Sequence, residues 1–496
     1  MQQRREKVIV IGGGLGGLSA AISMASEGFQ VEIVEKNERL GGKLNVLQQD
    51  GFTFDLGPSI LTMPHIFEAL FTRTGRRMSD YVTIEKVDPH WRNFFEDGTV
   101  IDLCEDPVRQ KAQLDQLHPE AYTDFMQFMA YAKRLGQETE DGYFRHGIES
   151  LGALLKYYGL VRSCRFDVLR SMDQGVRRFI HHPKLVDILN YFIKYVGSSP
   201  YRAPALMNLL PYIQYQYGLW YVRGGMYGLA EALQQLAQEL GVSIRLNSEV
   251  ARIDKVNGRA TSVTLADGEV LSVDIVISNM EVIPAMQRLL GNTDHEVQRM
   301  QRFAPSCSGL VLHLGINRTY PQLAHHNFFY SDKPEEHFRA VFSSGELSED
   351  PTLYVVAPCK TDPAQAPEGC EVIKVLPHIP HLEDPARLTD ADYQALRTRV
   401  LEKLERMGLD QISHHIVSES TWTPLDIQSK YYSNRGSIYG VVADRWLNLG
   451  LKAPRRSQEL SNLYFVGGSV NPGGGMPMVV LSGQLVRDRI LADLAT

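Results

Sequence analysis

Cysteine is scarce in this chain, and its few copies are scattered. Five occur in 496 residues, at Cys104, Cys164, Cys307, Cys359 and Cys370. An odd number with no C-x-x-C spacing excludes a disulfide framework and a zinc ribbon, so no metal site is expected and a reducing compartment suits the chain. Long apolar runs are missing too. No uninterrupted stretch nears the roughly 20 residues that cross a bilayer as a helix. Met1 to Lys7 is polar and leads straight into the first apolar segment, so no signal peptide is expected. Excess positive charge is absent as well: the net charge is −7, which argues against nucleic acid as a partner. What remains is an ordinary globular composition, 44% apolar and 22% charged, long enough for two or three domains.

The first fifty residues carry the strongest signal. Val8-Ile9-Val10-Ile11 is a short apolar run of strand type, and it feeds Gly12-Gly13-Gly14-Leu15-Gly16-Gly17. A helical pattern follows to Glu27, Gly28 stops it, and Val31 to Val34 reads as a second strand ending at Glu35. G-x-G-x-x-G thus falls on Gly12, Gly14 and Gly17 inside a βαβ unit. The glycines allow a tight turn, close approach of backbone to a pyrophosphate, and close packing of helix on strand. The helix N-terminus supplies N–H donors to the phosphates. Glu35 stands 18 residues after Gly17, where a carboxylate accepts from ribose hydroxyls and repels a 2′-phosphate. Lys36 beside it joins the expected cofactor-binding set. The tail offers a related element. Asn462 to Ser469 reads as a strand ending in Gly467-Gly468, and Gly473-Gly474-Gly475-Met476-Pro477 precedes a helical stretch from Met478 to Leu494. No second strand–G-x-G-x-x-G–helix unit is apparent, so a separate nicotinamide domain is not expected, and electrons should leave to O2 or a quinone.

These patterns predict an α/β protein: a Rossmann-type dinucleotide domain, a discontinuous antiparallel-sheet substrate domain and a helical, membrane-facing subdomain. The expected boundaries are 1–60, 222–295 and 441–496 for the first, 61–110 and 296–440 for the second, and 111–221 for the third. Within the first, Gly241 to Leu246 is a strand that Ser248 to Ile253 continues, and Asp274 to Asn279 returns to the nucleotide layer. Leu310 to Gly315, Phe328 to Tyr330, Thr352 to Ala357 and Val372 to Leu376 read as strands of the second, with Asp390 to Met407 an amphipathic helix. The stretch 151–185 holds seven basic residues (Lys156, Arg162, Arg165, Arg170, Arg177, Arg178, Lys184) against Asp167 and Asp173. It reads as a solvated face or as a surface resting on anionic lipid. The rings of Tyr191, Phe192, Tyr195, Tyr201, Tyr212, Tyr215, Tyr217, Trp220 and Tyr221 read equally as core or as the lining for a conjugated chain.

Arg39-Leu40-Gly41-Gly42-Lys43 and Asp55-Leu56-Gly57-Pro58-Ser59, with the glycine-rich tail, resemble the FAD-dependent amine oxidase and phytoene desaturase superfamily. The resemblance runs nearly the whole chain, through Gly224-Gly225-Met226, Gln322 to His326 and Ala366 to Gly369. It implies FAD as cofactor. It places Gly41, Gly42, Gly57, Pro58 and Ser59 close to the FAD and Lys43 near the flavin, where many members have Arg. It gives the backbone of Val250 to the adenine, and Gly467, Gly468, Gly475 and Met476 to the ribityl chain and pyrophosphate. Ile193 to Ser199, Ser278 to Pro284, Leu376 to Pro380 and Ser433 to Asp444 resemble one branch more closely: enzymes that oxidise the terminal methyl of an acyclic C30 carotenoid, such as 4,4′-diaponeurosporene or 4,4′-diapolycopene, to an aldehyde. Asn471-Pro472-Gly473-Gly474-Gly475 agrees with that branch, where desaturases usually show His-Pro-Gly-Ala-Gly. A terminal allylic methyl can lose a hydride because the resulting cation is delocalised along the polyene. A carotenoid desaturase is the alternative enzyme, and a non-catalytic prenyl-binding chaperone of the GDP-dissociation-inhibitor type the alternative of another class. Cytoplasmic placement with peripheral membrane attachment follows from the substrate class. The candidates for catalytic polar work are His325, His326, His378 and Arg435. Each histidine reads also as a buried structural group, and Arg435 as an exposed loop residue.

Overall fold

The computed structural model describes residues 6–292, 297–298, 300–384 and 387–495. The leading residues 1–5 and the expected domain limit at 295/296 lie outside the described residues. Five strands form a parallel sheet: β1 (Lys7–Ile11), β2 (Gln30–Val34), β3 (Ser243–Arg245), β4 (Ile275–Ser278) and β5 (Leu463–Phe465), in the order β5-β4-β1-β2-β3. β1 shows why such strands read as unbroken apolar runs, since both of its faces are covered. Val8 and Val10 point to one core, with Leu18 and Ile22 of α1 (Leu15–Ala25), Leu229 and Leu233 of α2 (Gly228–Glu239), and Val480 and Val486 of α3 (Met476–Leu494). Ile9 and Ile11 point to another, shared with Ile253, Val263 and Leu271 of a three-stranded antiparallel sheet.

That small sheet corrects one expectation. Ser248 to Ile253 does not continue β3. Asn247 sits at φ +50 and turns the chain, and Val250–Val256 pairs with Arg259–Leu265 instead.

A second, larger sheet runs Ile416–Trp422, Val311–Ile316, Glu371–Ile379, Leu353–Val356, His326–Phe329, Trp91–Phe94, Val100–Leu103, with Ser308–Gly309 beside Glu371–Ile379. It is antiparallel except at one seam, where the Trp91–Leu103 hairpin docks parallel on His326–Phe329. Leu312, Leu314, Val355 and Ile373 face the helix Asp390–Arg406, burying its Leu396 and Val400. The alternate residues, Val311, Phe328, Tyr354 and Leu376, face the interior of the molecule. Helices between Pro107 and Tyr217 roof that interior. Among the described residues, no helix is long and apolar enough to cross a membrane, and no group of metal-ligating side chains occurs.

Candidate active site

The phosphate turn is assembled by contacts that exclude side chains. Gly12 (φ +90) donates its N–H to Val34 O at 2.8 Å, and a Cβ on Gly17 would lie 2.1 Å from Gly12 O. Gly17 therefore seats α1 on β1 rather than facing a ligand. Glu35, buried at the end of β2, accepts from the Gly13 N–H at 2.7 Å and from the Asn37 N–H at 2.9 Å. The paired-glycine loop closes against this turn. Gly41 N–H donates to Gly13 O at 2.9 Å, and a Cβ on Gly42 would be 3.0 Å from the Gly14 Cα. Gly57 is as tightly held, since its Cβ would lie 1.7 Å from Lys43 O. Lys43 Nζ donates to Ser437 O at 2.9 Å and pairs with Glu281 at 3.4 Å.

The tail completes the wall. Gly467 (φ +100) donates its N–H to Ser482 Oγ at 2.9 Å, and Gly475 (φ +93) caps α3 without a side chain. The first N–H groups of α3 are thus free of any side-chain cap, as at an anion-binding helix start. A Cβ on Gly474 would lie 2.3 Å from Tyr439 O, so the tail rides on the Tyr439–Gly440 backbone.

Gly12, Gly14, Glu35, Lys36, Gly41, Gly42, Lys43, Gly57, Pro58, Ser59, Val250, Gly467, Gly468, Gly475 and Met476 all line one cavity of about 540 Å³. Of the expected cofactor set only Gly17 does not. Ser59 Oγ is buried with no partner among the described residues, which leaves a hydroxyl for a ligand. A groove walled by glycine backbone, a carboxylate at the strand end and an uncapped helix start fits a dinucleotide. Asn279 was not among the expected site residues. It lines the cavity, and its side chain packs over Gly14, Gly16 and Gly467. Its signal was its position, one residue past the end of a parallel strand.

The same cavity continues beyond the groove into a chamber of aliphatic and aromatic carbon, among Phe144, Leu154, Phe166, Leu206, Leu210 and Ile213. Leu151 both lines it and is exposed. Of the ring stretch read as a polyene lining, only Tyr195 reaches the cavity; Tyr191 and Phe192 are core, Phe192 stacked on Trp91 at 4.0 Å. The lining there is chiefly aliphatic, because Phe192 and Tyr191 pack on Trp91 and Phe328 of the large sheet, while Tyr215 and Tyr217 pack on Phe125 and His65.

The candidate catalytic residues are placed differently from one another. His325, His326 and His378 are buried behind the cavity wall and do not line it. His326 Nδ1 lies 3.0 Å from Tyr354 OH, and His378 Nε2 lies 3.4 Å from Tyr439 OH. Both of those tyrosines do line the cavity. His325 is bonded to Thr361 Oγ1 at 2.7 Å. Burial pushes His325 and His378 down to about 3 and His326 well below the usual histidine range, so all three are neutral at pH 7. They are built to orient neighbours rather than to exchange protons near neutrality. Arg435 takes the second of its two readings: it is exposed, at φ +52, in a separate pocket with Gln428 and Asn434. Gly436 beside it is seated against Pro424 O, and Arg435 does not line the cavity.

A dinucleotide groove opening into a buried apolar chamber defines a cofactor-dependent oxidoreductase of apolar substrates. Residues 15–491 match the model of the flavin containing amine oxidoreductases, and the chain belongs to that family; FAD is its cofactor. It is 71% identical over 490 residues to a 4,4′-diapolycopene oxygenase of Methylomonas sp, covering 99% of each chain. It is 49% identical to a 4,4′-diaponeurosporene oxygenase of Staphylococcus haemolyticus, covering 98% of this chain and 97% of that one. An oxidoreductase structure from Methanosarcina mazei shares the fold at 16% identity and a TM-score of 0.66, over 97% of this chain and 100% of that one. Putrescine oxidase does so at 15% identity and 0.64, over 99% and 100%.

Proposed function

We propose that this protein oxidises the terminal methyl group of an acyclic C30 carotenoid to an aldehyde, in carotenoid biosynthesis. The observation that carries the reading is the continuity of the glycine groove with the aliphatic chamber in one cavity. A rod-like hydrocarbon lying in the chamber presents its end, not its middle, to the groove. The names of the relatives at 71% and 49% identity support the same substrate class.

Bound FAD supplies a two-electron oxidant at that end. Glu35 would hold the ribose side, the Gly12–Gly14 turn and the start of α3 would hold the phosphates, and Lys43 and the Gly57–Ser59 backbone would stand beside the flavin. The chamber aligns the methyl and excludes bulk water, which is the protein's share of such chemistry. Tyr354 and Tyr439, bonded to His326 and His378, are cavity-lining hydroxyls available for holding a water or a substrate oxygen. O2 or a quinone is the terminal electron acceptor in this proposal.

The chamber mouth supports attachment to a membrane surface. Leu160 and Leu169 are 73% and 74% exposed beside Leu151, and Trp446 is exposed next to the cavity-lining Leu449. This face offers apolar side chains together with basic ones that are partly paired. Arg162 pairs with Glu138, Arg170 and Arg178 with Asp167, and Arg177 with Asp173.

The test is the mass of the product in cells making a C30 carotene with free methyl ends. A gain of one oxygen with loss of two hydrogens at each oxidised end is expected. Loss of hydrogens alone would make the enzyme a desaturase and overturn the proposal.

A further inference from the structure

Five lysines line the cavity: Lys36, Lys43, Lys194, Lys374 and Lys452. Four of them donate to backbone carbonyls. Lys36 reaches Ser429 O at 3.1 Å, Lys43 reaches Ser437 O at 2.9 Å, Lys374 reaches Gly57 O at 2.6 Å and Lys452 reaches Val441 O at 2.5 Å. The Lys194 Nζ has no hydrogen bond and no carboxylate partner among the described residues, yet the residue is only 5% exposed. Its Nζ stands among four rings, 4.0 Å from the centroid of Tyr354, 4.7 Å from Tyr195, 4.8 Å from Phe328 and 4.9 Å from Trp91. Its place is at the junction of groove and chamber. The neighbouring Tyr195 carbonyl lies 4.0 Å from where a Cβ on Gly475 would stand, at the start of α3.

An unpaired buried amine costs stability unless a ligand satisfies it. Burial with no anion beside it pushes Lys194 well below the ordinary lysine range, while the four rings act in the other direction. A neutral amine is a nucleophile toward carbonyl carbon. The group that a terminal-methyl oxidase delivers to this junction is an aldehyde.

We infer that Lys194 is a carbonyl-capturing site for the polyene aldehyde. The inference rests on the proposed aldehyde product. The Nζ lone pair forms a bond to the aldehyde carbon, the carbonyl oxygen takes up the amine protons and leaves as water, and a carbon–nitrogen double bond remains. No oxidant or reductant is consumed. Water entering from the mouth reverses the step and frees the aldehyde. While the bond lasts, the carbonyl carbon is held out of reach of hydration, and so of further oxidation to a carboxylic acid.

The experiment uses the purified, flavin-loaded protein, a polyene aldehyde (an apocarotenal) added directly, and cyanoborohydride. Reduction of the imine adds the mass of the aldehyde less one oxygen to the peptide that carries Lys194. That adduct is expected to form ahead of adducts on surface lysines, and an excess of the unoxidised carotene should suppress it while leaving surface adducts unchanged. Labelling of surface lysines with Lys194 unmodified would overturn the inference, as would labelling that the carotene does not suppress. Lys194→Arg and Lys194→Met should both lose the adduct, the second without leaving a charge in the cage. The aldehyde is supplied and not made by the enzyme. A desaturated product in cells would therefore sink the proposed function while this reading of Lys194 still stood or fell by its own adduct.

Discussion

The groove and the chamber are halves of one cavity built on opposite principles. The groove is walled by backbone. Its shape comes from residues that have no side chain, and at Gly42, Gly57 and Gly474 an added carbon would meet main-chain atoms at 3.0 Å or less. The chamber is walled by side chains from separate helical segments, among them Phe144, Leu154, Leu206, Leu210 and Ile213. Backbone walls tolerate nothing and recognise a fixed ligand. Side-chain walls exchange volume for volume, and relatives on the same fold can change substrate there without touching the cofactor.

That contrast is open to attack from both sides. The largest effect is expected from Gly57→Ala, whose methyl would lie 1.7 Å from Lys43 O. Forcing the backbone apart there should cost about 3 kcal/mol and remove most of the flavin absorbance from the purified protein. Gly152→Ala, which meets nothing within 4 Å, should keep it. Next comes Leu210→Trp, which fills the chamber. Product formation should fall about tenfold or more with the flavin spectrum unchanged, because a pocket discriminates by its volume. Loss of flavin in this variant would show that the two halves do not stand independently. The smallest effect concerns the mouth. Leu160→Asp with Leu169→Asp should lower liposome co-sedimentation about tenfold, which corresponds to about 1.4 kcal/mol of lost partial insertion. Arg177→Glu with Arg178→Glu should change it less, their charges being paired internally, and the reverse order would return the attachment to electrostatics.

The groove was legible in the sequence and most of the chamber was not, for the same reason. A glycine required by a turn is required at a fixed spacing, so Gly12, Gly14, Gly17 and Glu35 announce a strand, a turn and a helix in one line. Gly467, Gly475 and α3 do so again at the other end, with the helix starting at Met476, two residues earlier than its apolar pattern suggests. Chamber residues are neighbours only in space, and apolar side chains at helical spacing look alike whether they pack on a core or on a cavity. The ring stretch at 191–221 was ambiguous on those grounds. Lys194 lay in a segment whose resemblance was noted, but nothing in one sequence tells an exposed lysine from one caged by Trp91, Phe328 and Tyr354, which lie up to 160 positions away. Arg435 was ambiguous in another way: a basic residue beside a glycine in a loop reads alike whether the loop lines a site or faces solvent. Asn247 shows the limit of strand reading, where one residue at positive φ sends the chain from one sheet to another.

β5 pairs with β4, and α3 packs against α1 near the other end of the chain. During synthesis at about 5–20 residues per second, the segment 463–494 therefore leaves the ribosome roughly half a minute to a minute and a half after Gly12 to Gly17. Through that interval the βαβ unit has its phosphate turn but neither β5 nor the helix start at Met476. Cofactor loading is thus an event of the finished chain. A truncation before residue 460 would yield a colourless protein, and the supply of flavin to the cell would act on completed molecules awaiting it rather than on chains still being made.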